Sequence, residues 1–289
     1  MAGWLAAAGP APAQLTNGPV ARLPEVVVGG APVTENTLVG AYAQPEWTTR
    51  RRFPTTRVYL QEPPGAVGLE QWARTDWPRD ERARTQFRTE AEFGLPGRMQ
   101  FDLYEDTQLT RQGDYRQQDV ATELRYAFAD WGKIPLNPTL YGEWKFANRD
   151  LGPDELELKL LLGDTIGKDW HYGVNLITEQ GVGDTRETEY QLSEAVGYTL
   201  EDRKWSIGEE AKFARVSEQG ERSDATREVS IGPSFQWRPT ERTHLDLVAL
   251  FGVTDDAPQF ETYLVFGVAL GAQPSERHGP RAPVSARGE

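Results

Sequence analysis

Cysteine is absent from all 289 residues, and so is any apolar run long enough to cross a membrane as a helix. The first absence removes disulfide frameworks, thiolate metal sites and thiol nucleophiles together, and it suits a protein that passes through an oxidising compartment. The second excludes a helical membrane protein. Basic charge is scarce as well: 31 Lys and Arg against 44 Asp and Glu leave a formal net charge of -13. A nucleic-acid partner is therefore not expected, because phosphate binding needs a basic surface that releases counterions. Histidine is reduced to three residues, His171, His244 and His278. Walker-type loops, GxGxxG fingerprints and metal-ligand clusters are missing from the sequence, so neither a cofactor nor a metal is expected.

What the chain does contain is aromatic: 9 Trp, 10 Tyr and 11 Phe within a sequence whose mean hydropathy is only -0.60. That combination fits a soluble β protein or a membrane barrel whose apolar residues occupy every second position of each strand. Periodicity separates the two. Met99, Phe101 and Leu103 alternate with Gln100, Asp102 and Tyr104; Leu140, Trp144 and Phe146 oppose Glu143 and Lys145; Leu156, Leu158, Leu160 and Leu162 oppose Glu157 and Lys159. The pattern predicts about twelve antiparallel strands within residues 57–270. Tight turns at Leu95–Gly97, Glu201–Arg203 and Pro239–Glu241 alternate with longer polar links such as Gln180–Glu187 and Ser217–Ala225. Outer-membrane barrels show this division, with short periplasmic turns, longer external loops and an even strand number. On the apolar face, aromatics gather at both strand ends: Phe93, Phe128, Trp170, Tyr198, Trp205 and Trp237 at one, Phe87, Phe146, Tyr190, Phe213 and Phe251 at the other. Two such girdles flanking an aliphatic band predict a lipid-facing surface and an all-β transmembrane barrel in a Gram-negative outer membrane.

If the apolar face meets lipid, the polar face lines the lumen. By parity the lumen receives Glu70, Arg88, Glu90, Glu92, Asp102, Glu123, Arg125, Glu143, Lys145, Glu157, Lys159, Glu210, Lys212, Glu228, Arg238 and Asp246. Such a surface can select permeating solutes, or its acids and bases can pair with one another and leave no selectivity. Glu123, Arg125, Glu143, Lys145, Glu157 and Lys159 share parity on three consecutive strands, which predicts a cross-strand ladder of alternating sign. Two acids break the pattern. Glu194 and Glu209 have lipid-facing parity and, about a turn at Glu201–Arg203, are expected to lie opposite each other. A β-bulge that returns one of them to the lumen, a subunit contact or a functional site would each account for them.

Outside the barrel, Met1–Gln14 resembles the last part of a secretory signal ending in Ala11-Pro12-Ala13, so residues 1–13 are read as its remnant, with the true start further upstream. Residues 14–56 carry Pro, Gly, Thr and Arg without sustained period and are expected to form an extended periplasmic segment. Residues 271–289 read as a flexible periplasmic tail. Within the leader, Leu23-Pro-Glu-Val-Val-Val-Gly-Gly30 resembles the TonB box of TonB-dependent receptors, which implies pairing with the edge strand of a periplasmic energy-coupling protein. No plug domain of receptor size follows, and about twelve strands fall far short of the 22 of those barrels, so coupling is not expected. Gln44–Tyr59 looks similar to the lead-in of uncharacterised, porin-like outer-membrane proteins, a resemblance that implies no defined activity. Its Arg50, Arg51 and Arg52 can either enter an acidic lumen as a plug or sit near anionic headgroups.

Outer-membrane phospholipase A also has twelve strands, but its chemistry needs His and Ser together on the lipid side. Here His171 and His244 have lumen or turn parity and His278 lies in the tail, so no catalytic residues are assigned. The leading expectation is a channel for small polar solutes, inserted by the barrel assembly machinery and surrounded by outer-membrane lipid. The alternatives are a non-conducting structural or surface-interaction barrel and a soluble lipocalin-like binder.

Overall fold

A computed structural model describes residues 34–110, 113–183, 187–201 and 204–270. The barrel wall consists of β3 (Val67–Trp77), β4 (Arg84–Leu95), β5 (Met99–Leu109), β6 (Tyr115–Ala127), β7 (Thr139–Ala147), β8 (Asp154–Ile166), β9 (Trp170–Val182), β10 (Glu187–Glu201), β11 (Trp205–Glu218), β12 (Thr226–Thr240), β13 (Thr243–Gly252) and β14 (Phe260–Leu270). They follow in sequence two short paired strands, β1 (Leu38–Val39) and β2 (Gln44–Pro45), and a 3-10 turn at Glu46–Thr49. Each wall strand is antiparallel to its sequence neighbours, and β14 pairs with β3 to close the circle. Closure removes every sheet edge, which is what allows strands to sit in hydrocarbon.

The two faces follow the sequence period. On β5, Gln100 and Asp102 are fully buried while Leu103 is 43% exposed to the outside. Leu140, Leu158, Leu176, Leu247, Leu264 and Phe266 are likewise exposed outward, as a lipid-facing belt requires. Aromatic pairs sit on this face at the strand ends: Trp205 stacks on Trp237 at 5.4 Å, and Phe251 lies 4.9 Å from Phe260.

One end of the barrel carries the tight turns. That between β4 and β5 needs left-handed backbone at Gly97 (φ 78°) and Arg98 (φ 61°), a conformation glycine adopts at no steric cost. The exception at this end is the β6–β7 connection, residues 128–138, whose Trp131 folds inward. The external-loop candidate Gly183–Glu187, the Glu201–Arg203 turn and the Thr110–Tyr115 link lie partly outside the described residues; the secretory remnant, the Leu23–Gly30 stretch, the tail and His278 lie wholly outside them.

The expected domain boundaries change in one respect. The described part of residues 14–56 is not a periplasmic extension: together with residues 57–66 it lies inside the barrel, and the wall begins at Val67. Trp47 and Leu60 are fully buried, and Tyr59 and Phe53 nearly so. The physical cause is width. An eight-stranded barrel is filled by its own side chains, whereas twelve strands enclose more space than wall residues can fill, and here the chain fills it with its own N-terminal segment.

Candidate functional site

The inserted segment both enters and leaves at the tight-turn end. Near its start, the Asn36 side chain donates to the Lys168 carbonyl in the β8–β9 turn; near its exit, the Gly65 amide donates to the Gly94 carbonyl at 2.9 Å. Between these points it is anchored on all sides. The Thr55 amide donates to Glu210 at 2.8 Å, the Thr56 hydroxyl to Ser193 at 3.1 Å and the Arg57 amide to Asn175 at 2.8 Å, while the Gln61 and Glu62 amides both donate to Gln100. Buried amides without strand partners must find acceptors, and here polar wall side chains supply them.

Apolar contacts complete the packing. Trp47 stacks on His171 at 4.6 Å and meets Trp131 edge-on at 5.8 Å, and Tyr59 meets the same Trp131 at 5.3 Å. Its wall is cleared by glycine. A Cβ at Gly163 or Gly173 would come within 2.6 Å of Val58, and one at Gly94 within 1.9 Å of the Pro63 carbonyl oxygen. Cavities along the segment amount to about 20 and about 10 Å³, room for roughly one water each.

The charges divide into two tiers. In the tight-turn half, Glu70, Glu90, Glu92, Asp102, Glu123, Arg125, Glu210, Arg238 and Asp246 are all buried, and the segment contributes the missing cations. Arg51 reaches Glu70 at 2.7 Å and Glu92 at 3.0 Å; Arg57 reaches Glu90 at 3.0 Å and Glu123 at 3.6 Å. Arg125 on the wall meets Asp102 at 2.9 Å and also Glu123. Arg238 runs the other way, binding the segment's Glu35 at 2.6 Å and Glu46 at 2.8 Å, and Arg52 pairs with Glu35. Of the two places open to Arg50–Arg52, the lumen is the one occupied.

In the loop-side half the groups, Glu261 excepted, stay partly solvated. Arg88 pairs with Asp106 at 2.8 Å, Lys145 with Glu179 at 2.6 Å and Glu155 at 3.2 Å, Lys159 with Glu157 at 2.6 Å, and Lys212 with Glu261 at 2.7 Å. Glu143 is buried between the tiers, and Glu228 is half-buried near the rim.

Two expectations need correction. The alternating cross-strand ladder is not formed: register places Glu123 opposite Glu143, and Glu143 opposite Glu157, acid against acid. Some ion pairs do cross to the facing residue, as Lys145 does to Glu155 and Arg88 to Asp106, but others run along a strand, as Arg125 to Glu123 and Lys159 to Glu157, because a cation two residues away on the same face reaches as far as one across the ladder. Glu194 and Glu209 are both exposed on the outer face, but Glu194 lies opposite Ala211 and Glu209 opposite Val196, so they are diagonal neighbours rather than a facing pair. No bulge returns either one to the lumen. Of the histidines, His171 sits 3.2 Å from Asn36 and His244 bonds Asp246.

Sequence reasoning missed Arg57, Gln61, Trp47 and Trp72. A signal existed in the lumen-facing glycines, which are out of place on a wall otherwise lined with large polar side chains and mark a close approach of other backbone.

Comparison with known proteins agrees with the barrel. The structure of the NanC porin superposes with a TM-score of 0.51 at 12% identity, over 71% of this chain and 100% of that one. The chain has the fold of an outer-membrane porin. The β domain of the Bordetella autotransporter BrkA (TM-score 0.46, 10% identity, 72% of this chain and 100% of that one) and the KdgM porin in complex with oligogalacturonate (0.43, 8%, 72% and 99%) are similar at greater distance. Residues 159–267 match the model of a family described as a putative MetA-pathway of phenol degradation. No curated protein matches the chain in sequence.

Proposed function

We propose that the protein is an outer-membrane channel for small polar solutes, closed at rest by residues 34–66 and opened when that segment withdraws toward the tight-turn end. The observation that carries this reading is that the lumen is filled by a separable piece of chain. Twelve strands alone would leave a hydrated passage, and what blocks it is bound through side-chain hydrogen bonds and ion pairs rather than through sheet pairing with the wall. The loop-side tier, with Arg74, Arg88, Lys145, Lys159 and Lys212 partly solvated among acids, forms a charged vestibule above the closure. In this reading the tight-turn end is periplasmic, as are both termini, so the segment is withdrawn from the cell side.

The competing reading, a non-conducting structural barrel, draws on the close packing of the same segment. Planar-bilayer recordings of the full chain and of an Arg51→Gln/Arg57→Gln variant decide between them. The channel reading expects long closed periods in the parent and a higher open probability in the variant, since removing two cations leaves buried carboxylates that favour a hydrated lumen. A variant that folds and inserts but never conducts would establish the structural barrel instead.

A further inference from the structure

The way Arg51 and Arg57 are held has the form of a ligand in a binding site. Both guanidinium groups share the ring of Trp72, with their central carbons 4.6 and 5.8 Å from its centroid. Around that ring stand three wall carboxylates, each fully or almost fully buried: Glu70, Glu90 and Glu92. Arg51 takes Glu70 and Glu92, Arg57 takes Glu90, and Gln61 fills in between Glu70 (2.8 Å) and Glu92 (2.6 Å). An aromatic face rimmed by carboxylates suits a planar, weakly hydrated cation with several in-plane donors better than a compact ammonium ion. The fit is also incomplete. Glu90 Oε2 and Glu123 Oε2 have no hydrogen-bond partner, nor does Arg57 Nη1, which rests 3.6 Å from Glu92.

Charge makes the same point. Without Arg51 and Arg57, five buried acids, Glu70, Glu90, Glu92, Asp102 and Glu123, would face Arg125, His244 and Arg88, which lies 5.9 Å from the Trp72 centroid and is itself paired with Asp106. Buried carboxylates in such excess need replacement cations. We propose that Trp72, Glu70, Glu90 and Glu92 form a guanidinium-binding site which the chain's own arginines occupy in the closed state, and for which a small guanidinium-bearing solute competes. This deepens the plugged-channel reading, and rests on it, in naming the class of solute; the site itself is tested without any conductance.

Agmatine, a butylammonium chain ended by a guanidinium, is the probe, with 1,5-diaminopentane, which carries an ammonium at both ends, as the control. Isothermal titration in detergent compares the full-length parent with full-length Arg57→Ala. Agmatine is expected to bind the variant roughly tenfold or more tighter than the parent, because in the parent it must first displace a tethered competitor. Adding Glu90→Gln/Glu92→Gln is expected to remove that binding, and 1,5-diaminopentane is expected to bind neither protein saturably. Absence of saturable agmatine binding to Arg57→Ala, or equal binding of 1,5-diaminopentane, overturns the proposal.

Should Arg57→Ala fail to fold, hydrogen exchange on the parent takes its place. Agmatine should then accelerate exchange at the Thr55, Arg57, Gln61 and Glu62 amides, which are bonded to Glu210, Asn175 and Gln100. Unchanged exchange at saturating agmatine overturns the proposal equally. A protein that binds agmatine but never conducts keeps the site and loses the channel; one that conducts but ignores agmatine does the reverse.

Discussion

Both halves of the lumen carry acids and bases, and they treat them differently. In the tight-turn half, acids from β3 to β6 are dry, and their partners come partly from a segment remote in sequence. In the loop-side half, pairs such as Lys145 with Glu155 and Glu179 keep access to water, with side chains 17, 39 and 24% exposed. A solvated pair loses little when one partner goes, since water replaces it; a dry pair leaves an uncompensated charge. In the proposed channel, the first half is where the segment closes the lumen and the second is the solvated vestibule above it.

The sharpest way to break that comparison is to remove one cation from each half. Arg125→Met, which strands Asp102 and Glu123, should destabilise the folded barrel by about 3–5 kcal/mol, whereas Lys145→Met should cost less than about 1 kcal/mol. Urea unfolding in lipid measures both, and equal costs would erase the distinction between the halves. A change on the outer wall calibrates the scale: Leu158→Arg, facing lipid, should cost roughly 2–4 kcal/mol, and equal tolerance of arginine at neighbouring Lys159 would contradict the assigned faces.

These faces were legible in the sequence because a strand's period of two needs no knowledge of its neighbours. Leu158 and Lys159, or Leu103 and Asp102, could be assigned to opposite sides from local alternation alone. Register was less legible, because the offset of β6 on β7 depends on the 128–138 connection and not on either strand; Glu123 therefore meets Glu143 where a lysine was expected. The segment inside the barrel was least legible. Arg51, Arg57 and Trp47 have no period, and their partners lie on strands from β3 to β12, so nothing within the segment announces its contacts. Their trace is on the wall, in Gly163 and Gly173, where small residues admit Val58.

Those glycines give the next prediction. A Cβ at Gly163 would also meet the Tyr172 carbonyl oxygen of the wall at 2.7 Å, so Gly173→Val is the cleaner change and should push Val58 away at a cost of about 1–3 kcal/mol, confined to segment docking. Hydrogen exchange should rise across residues 55–62 while wall amides and heat-modifiable migration stay as before; loss of wall protection would show that segment and barrel are a single cooperative unit.

The smallest effect expected is on pH. Burial is the main cause that raises the Glu62 carboxyl from the usual 4.5 to about 7, with Arg50 opposing it. The docked segment therefore holds this proton more tightly than the undocked one. Its contribution to docking is fully present below about pH 4.5 and is lost as pH rises toward about 7. Exchange at residues 55–62 should quicken across that window in the parent, and Glu62→Gln should flatten that part of the response; an identical profile in both proteins would assign the effect to other groups.

The absence of native cysteine allows the proposed movement of the segment to be tested directly. Thr56 and Ser193 hold their hydroxyl oxygens 3.1 Å apart across the segment and the β10 wall, so Thr56→Cys/Ser193→Cys places two thiols where a disulfide can bridge them. Single-channel recording of this variant, first oxidised and then reduced in the same bilayer, tests closure by residues 34–66. The account predicts no openings while the bridge is intact and openings after reduction. Equal conductance in both states would show that ions pass without the segment leaving, and would contradict it.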